Sequence, residues 1–64
     1  MTYEIIVRGH LVHTMEKYFE PMHVANTQEG TTRLVGVIPD QAVLFGILSR
    51  IRDLNIELVE LRQI

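Results

Sequence analysis

The second half of the chain has the sequence pattern of a complete β-α-β packing unit, and no other feature constrains the fold as much. A strand-like alternation of side chains starts at Thr31 and runs to Ile38, where Pro39 and Asp40 follow. An apolar stripe with helical spacing then extends to Leu54, and residues 56–62 form another strand-like run. The pattern predicts a fold and does not by itself predict a reaction.

The helix of this unit has clear start and stop signals. Asp40 is a favoured N-cap residue, and its charge suits the positive end of the helix dipole. Asn55 is the best candidate for the left-handed residue that ends the helix. Arg50 is expected to pair with Asp53. The core-facing stripe contains Val43, Leu44, Ile47, Leu48, Ile51 and Leu54.

The first half predicts three strands and a connector. Residues 3–12 read as a strand that places Tyr3, Ile5, Val7 and Leu11 on one face. The connector is residues 13–20, in which Thr14 could cap a short turn. Residues 21–27 then form a weak edge strand, and Gly30 takes a positive φ in the turn to the strand at residues 31–38.

These elements predict one α+β domain over residues 1–64, with a four-stranded, mainly antiparallel sheet and one major helix. Two topologies fit. In a shortened ferredoxin-like order, the connector takes the place of a first helix; in the other, the first three strands form a meander (βββαβ). The ferredoxin-like order needs a parallel crossover, which usually takes a dozen or more residues, and the connector has about eight. We keep both topologies.

Composition narrows the function classes. A chain of 64 residues forms a small core that often needs reinforcement, and the absence of cysteine excludes disulfides. The absence of cysteine also fits a cytoplasmic location. A net charge of −2 gives no electrostatic signature of nucleic-acid binding, and the apolar runs are far too short to span a membrane. We therefore predict no nucleic-acid or membrane partner.

One helix is too narrow to cover both faces of a four-stranded sheet. Aliphatic residues are nevertheless predicted on the face away from the helix: Ile6, Val12, Val35 and Val37, with either Val59 or Leu61. We predict that a second copy of the chain covers this face, giving a homodimer. The alternative is that these residues serve strand propensity and are left partly exposed.

The helix offers a second candidate interface. Ala42, Gly46 and Ser49 form a ridge of small residues away from the core stripe, and Phe45 projects beside it. Such a ridge permits close approach of another backbone, with Phe45 as an anchor. The alternative is that Phe45 folds over the sheet edge and Gly46 is merely tolerated.

Few residues suggest chemistry. His13, Glu16 and His23 would form a two-histidine, one-carboxylate metal set if the connector folded back, but such sets arise by chance in many short sequences. Ser49 is the only serine and has no histidine in its segment to activate it. We predict no catalytic residue, cofactor or metal site. The favoured function is a homodimeric interaction or ligand-sensing module, with a protein or small ligand as partner; the alternative is a subunit-interface enzyme or metal-binding protein that uses His10, His13 or His23.

The chain resembles a family of short uncharacterised prokaryotic proteins, for which no activity is established, over nearly its whole length. The segments that carry the resemblance are Tyr3-Glu4-Ile5, Val7, Gly9-His10-Leu11, Phe19-Glu20, Gly30-Thr31-Thr32, Leu34, Gly36, Asp40-Gln41-Ala42, Leu44, Gly46, Leu48 and Ile51-Arg52-Asp53-Leu54. The chain departs from the family pattern at Lys17-Tyr18, where the resemblance leads us to expect Trp, and at Asn55, where it leads us to expect Gly. The resemblance implies no catalytic residues.

Overall fold

The computed structural model describes residues 1–64 apart from the side chain of His13. The sheet contains four strands, and a 3-10 helix, here called the connector helix, lies between the first two. In chain order the elements are β1 (Thr2–Arg8), the connector helix (His13–Phe19), β2 (His23–Asn26), β3 (Thr31–Val37), α1 (Gln41–Asp53) and β4 (Leu58–Gln63). The predicted α+β class, with a four-stranded antiparallel sheet and one main helix, is confirmed.

The strands lie in the order β2-β3-β1-β4, and every neighbouring pair is antiparallel. Ile5 at the centre of β1 faces Leu34 on one side and Leu61 on the other. Because β3 separates β1 from β2, the first three strands do not form a meander. β1 and β2 therefore run parallel with β3 between them, and the connector helix lies in the crossover that joins them.

The core lies between one face of the sheet and the two helices. Among the described side chains, ten buried apolar residues form it, and they come from β1, the connector helix, the segment before β2, β3 with the residue after it, and α1: Tyr3, Ile5, Val7, Phe19, Met22, Leu34, Ile38, Leu44, Ile47 and Ile51. The alternation predicted for β1 and β3 and the centre of the predicted helix stripe are thus confirmed. Leu54, predicted at the end of that stripe, is instead exposed in the turn after α1.

Gly36 allows the chain to cross β3 at close range. A Cβ atom at this position would lie 2.8 Å from the Cα of Met22 and 2.8 Å from the carbonyl oxygen of Pro21. Both atoms belong to backbone, so neither can move aside as a flexible side chain would. The missing side chain lets the segment before β2 pack directly on the sheet, with Met22 buried beneath it.

The signals at the ends of α1 act as predicted. The Asp40 side chain accepts a hydrogen bond from the Val43 amide at 3.0 Å. Asn55 has φ 56°, the left-handed conformation that ends the helix. The predicted Arg50–Asp53 pair is wrong: Arg52 pairs with Asp53, and the Arg50 guanidinium lies 5.7 Å from the centre of the Tyr18 ring.

β1 ends four residues earlier than predicted. Gly9 follows it with φ 87°, and the chain then turns away from the ladder. Val12 consequently precedes the connector helix and does not lie on the sheet, which corrects its predicted place on the outer face. Thr14 is not a cap, because the connector helix begins before it and has no side-chain cap.

Candidate protein interface

The face of the sheet away from α1, here called the open face, is centred on a buried carboxylate. Glu4 in β1 is only 6% exposed. Its Oε2 accepts a hydrogen bond from Nε of Arg33 in β3, and its Oε1 accepts one from Nε of Arg62 in β4 at 2.6 Å. The carboxylate is therefore held between two guanidinium groups that come from the strands on either side.

This arrangement fixes the charge of Glu4. The hydrogen bond from Arg33, followed by that from Arg62, lowers the pKa of the Glu4 carboxyl, and these bonds outweigh the opposing effect of burial. Conversely, the hydrogen bond to Glu4 raises the pKa of the Arg62 guanidinium. The Glu4 carboxylate and its two hydrogen bonds tie β4 and β3 to β1 on the open face.

The aliphatic residues predicted on the open face surround this charged centre and do not form a continuous patch. Ile6 and Val35 are half-buried, and Val37 is exposed at the end of β3. Ile6 lies opposite Arg33 in β3 and Glu60 in β4. Charged side chains thus interrupt the apolar surface, and a dry face-to-face dimer would have to bury them.

A more apolar surface lies on the other face of the sheet, between α1 and β4. A groove of about 360 Å³ runs there, lined by Leu48, Ile51, Arg52, Asn55, Ile56 and Leu58. Leu58 is 45% exposed, and Leu61, further along β4, is 38% exposed. Leu61 faces Ile5 of the core and therefore lies on the α1 side of the sheet, so the predicted alternative that placed it on the open face is wrong. We call this surface the α1–β4 groove.

Phe45 extends the same apolar surface along the helix. It is 59% exposed, and it lies one turn before Leu48 and two turns before Arg52, both of which line the α1–β4 groove. The prediction that Phe45 projects outside the core stripe agrees with this exposure.

The small-residue ridge of α1 lies on a different side of the helix. Ala42 and Gly46 line a shallow depression together with Pro21 and Arg50, facing the segment before β2. Ser49 is half-buried. A Cβ atom at Gly46 would meet nothing within 4 Å, so packing within the chain does not require glycine there.

β4 is an edge strand with an accessible ladder. All six of its residues are exposed, and its one neighbour is β1. The Ile64 amide donates to the Thr2 carbonyl oxygen at 2.8 Å. Because antiparallel pairs alternate, Glu60 and Arg62 also direct their backbone groups towards β1, whereas those of Leu61 and Gln63 point outwards. The register shifts near Ile6 and Val7, where Val59 is the extra residue of a bulge.

The residues proposed for metal binding come together only in part. Glu16 and His23 line one open groove of about 700 Å³ between the connector helix and β2, together with Lys17, Glu20 and Met22. The His13 side chain lies outside the described part of the structure. Among the side chains that are described, no three histidine, cysteine, aspartate or glutamate residues are grouped to hold a metal ion.

His10 and Ser49 also have local structural settings. The Nε2 atom of His10 lies 2.8 Å from the carbonyl oxygen of Thr27, which joins the loop after β1 to the end of β2. Ser49 is within α1, as predicted. Among the described side chains, no hydrogen bond joins either residue to another group that the sequence suggested for catalysis.

The sequence did not predict the network around Glu4 or the groove beside β4. Glu4 is separated from Arg33 by 29 residues and from Arg62 by 58, so no local pattern joins them. A partial signal was that Glu4 in the first predicted strand and Arg33 in the third each lie among aliphatic residues on the face away from the helix. The exposure of Leu58 depends on how far α1 extends over β4. The periodicity of the sequence does not give this position of the helix on the sheet.

Comparisons with known proteins give one match. The chain is similar over residues 2–62 to a family model described as a domain of unknown function, DUF8691. Comparisons with curated proteins and with solved structures found no match. In the part of the chain that the structure describes, neither helix has the length and hydropathy needed to cross a membrane.

Proposed function

We propose that this chain, which belongs to the family with the domain of unknown function DUF8691, acts as a small homodimeric interaction module without catalytic activity of its own. The observation that carries the proposal is the run of exposed apolar side chains on one side of the molecule. Phe45, Leu58 and Leu61 lie there beside the half-buried Leu48. Exposed apolar side chains grouped on one side of a small domain mark a site of association.

The size of the chain supports the proposal. Ten buried apolar side chains make a small core, and a domain of about 60 residues buries only about 60% of the surface of its unfolded chain. Association with a second copy would bury further apolar area and make the folded state more stable. A chain without cysteine cannot be reinforced by disulfides, whereas association between copies needs nothing beyond its own sequence.

The fold we infer is a shortened ferredoxin-like one. The strand order, with β3 between the parallel β1 and β2, is the order expected when the connector helix takes the place of a first helix. Because this helix is short, the sheet has less cover than a second full helix would give. We also place the protein in the cytoplasm of a prokaryotic cell, on the absence of cysteine and the family resemblance.

The proposal is tested by sedimentation equilibrium of the wild type and two variants. Phe45→Ala removes the exposed ring at the α1–β4 groove and is expected to weaken association. Val12→Ala is the matched control, because Val12 is as exposed but lies before the connector helix, away from that groove. A wild type that stays monomeric throughout the range accessible to the method would overturn the proposal.

A ligand-sensing role has its own candidate surface. The open groove between the connector helix and β2 offers the cation of Lys17, the carboxylates of Glu16 and Glu20 and the imidazole of His23 above the buried Met22. The same groove supports the alternative to the interaction module, which is a metal-binding protein or a subunit-interface enzyme. Stoichiometric zinc in the purified protein, lost in His23→Ala, would favour that alternative over the interaction module.

A further inference from the structure

We infer that the second copy of this chain binds along β4, so that two sheets join edge to edge into one eight-stranded antiparallel sheet, with Leu61 opposite Leu61 of the other copy. The inference rests on the proposed homodimer and specifies its surface and register. Three features support it: the backbone groups of β4 that point away from β1, the charges on that strand, and the apolar groove beside it.

The backbone of β4 offers the hydrogen bonds that such a pairing needs. The Ile64 amide donates a hydrogen bond to Thr2 of β1, and successive residues of a strand direct their backbone groups to alternate sides. The amides and carbonyls of Leu61 and Gln63 therefore point away from β1. Two copies related by a two-fold axis at Leu61 would exchange reciprocal hydrogen bonds between their Leu61 residues. Gln63 of each copy then faces Val59 of the other.

β4 carries only some of the features that prevent edge pairing. It contains no proline and no lysine, and its side chains alternate between apolar and charged along most of its length. The bulge at Val59 limits the pairing to Val59 and the residues that follow it. At the other edge of the sheet, β2 has four residues and the connector helix packs beside it.

The charges of β4 select the register. With Leu61 opposite Leu61, each Glu60 lies opposite Arg62 of the other copy on the open face, giving two cross-strand pairs of opposite sign. Moving the two-fold axis to Glu60 would place Glu60 against Glu60, and moving it to Arg62 would place Arg62 against Arg62. Both alternatives bring like charges face to face and are unfavourable.

Arg62 can contact Glu4 of its own chain and Glu60 of the second copy at the same time. Its Nε donates to Glu4 within the chain, and the terminal nitrogens of a guanidinium carry four further N–H groups. The network of Arg33, Glu4 and Arg62 would therefore continue into Glu60 of the second copy. The open face becomes one charged surface across the dimer, without burying a carboxylate that has no partner.

On the opposite face, the same two-fold axis brings the two α1–β4 grooves together. An axis perpendicular to the sheet keeps both helices on one side, so Phe45, Leu48 and Leu58 of each copy face the seam between them. A stable dimer buries about 800 Å² per partner, which is about a fifth of the 4248 Å² surface of this chain. The edge strand alone would not supply that area, and the apolar groove beside it supplies the remainder.

Cysteine cross-linking tests the register, since the native chain contains no cysteine. Residues in a hydrogen-bonded antiparallel pair have Cα atoms about 5.5 Å apart, within the range of about 4.4–6.8 Å that a disulfide spans. Leu61→Cys is therefore expected to form a covalent dimer with oxidised glutathione. Gln63→Cys is the matched control on the same strand, because the two Gln63 residues would be displaced by about four residues, or about 13 Å.

The outcomes separate this inference from the proposed function. A covalent dimer of Leu61→Cys, with Gln63→Cys remaining monomeric on a denaturing gel, supports the β4 register. If the wild type sediments as a dimer and Leu61→Cys does not cross-link although circular dichroism shows it folded, the β4 inference is wrong and the homodimer stands. If the wild type is monomeric, both fail. Cross-linking of Gln63→Cys in place of Leu61→Cys would contradict the register.

Discussion

Arg62 and Glu4, separated by 58 positions in the chain, are joined by a hydrogen bond of 2.6 Å from the arginine Nε to the glutamate Oε1. The contact links β4 to β1 on the open face, and Arg33 completes it from β3. A carboxylate that accepts hydrogen bonds from two guanidinium groups is held in its ionised form. Glu4 thereby connects three of the four strands through one side chain.

The first prediction concerns the pH dependence of stability. Because Arg33 and Arg62 lower the pKa of Glu4 in the folded state, the unfolded state binds the proton first as pH falls. The stabilisation is fully present above the ordinary value of 4.5 and is lost as the pH falls through the lowered folded-state pKa. Urea unfolding midpoints measured from neutral into acid conditions should therefore decrease in the wild type.

Glu4→Gln is expected to be less stable at neutral pH and to lose less stability in acid. Glu57→Gln is the control, since Glu57 forms a pair with Arg8 in which both side chains are largely exposed. Parallel pH profiles of the wild type and Glu4→Gln would show that the network does not contribute as described.

The second prediction compares two glycines. Gly36→Ala should destabilise the fold by about 1–3 kcal/mol, because its Cβ would overlap backbone atoms of Pro21 and Met22. Gly46→Ala should instead stabilise it by about 1 kcal/mol, because alanine is the better helix former and its methyl group meets nothing within 4 Å. Chemical unfolding of the two variants at one protein concentration measures the change in the free energy of unfolding for each. Destabilisation by both substitutions would contradict the packing described around Gly46.

The third prediction tests the start of α1. Asp40→Ala removes the acceptor that holds the Val43 amide and should cost about 1 kcal/mol. Asp40→Asn retains a side-chain oxygen at the cap and should recover most of that loss. Thermal unfolding followed by circular dichroism reports both variants. Equal stability of Asp40→Ala and the wild type would show that the cap contributes little.

The fourth prediction concerns the Tyr18 ring, which links the connector helix to α1. The Arg50 guanidinium lies 5.7 Å from the ring centre, and the ring packs edge-on against Phe19. Tyr18→Ala should lower stability, and Tyr18→Phe should retain most of it, since a phenylalanine ring preserves both contacts. If Tyr18→Phe lowered the unfolding midpoint as much as Tyr18→Ala, the stabilising role of the ring would be contradicted.

The sequence predicted the parts of the fold that depend on local physics. Asp40 and Asn55 marked the ends of α1, the alternation of β1 and β3 identified the buried face, and Gly30 has the expected positive φ of 79°. Each of these signals operates within a few residues. Interactions between neighbours in the chain are enough to determine them.

The parts that the sequence did not predict depend on segments distant in the chain. The close approach at Gly36 needs the position of Pro21 and Met22, and the burial of Glu4 needs two arginines from other strands. The length of the connector did not decide between the two topologies, because a 3-10 helix advances further per residue than an α-helix. The candidate interface likewise depends on how much of β4 the helix α1 leaves uncovered.

Amide hydrogen exchange of β4, measured at several protein concentrations, is a direct test of the edge-to-edge dimer. The Leu61 and Gln63 amides point away from β1, so they are solvent-exposed in a monomer and hydrogen-bonded in the edge-to-edge dimer. If β4 pairs with β4 of a second copy, these two amides exchange slowly in concentrated protein and progressively faster on dilution, while the Ile64 amide changes much less. Fast exchange of Leu61 and Gln63 at every concentration would contradict this pairing.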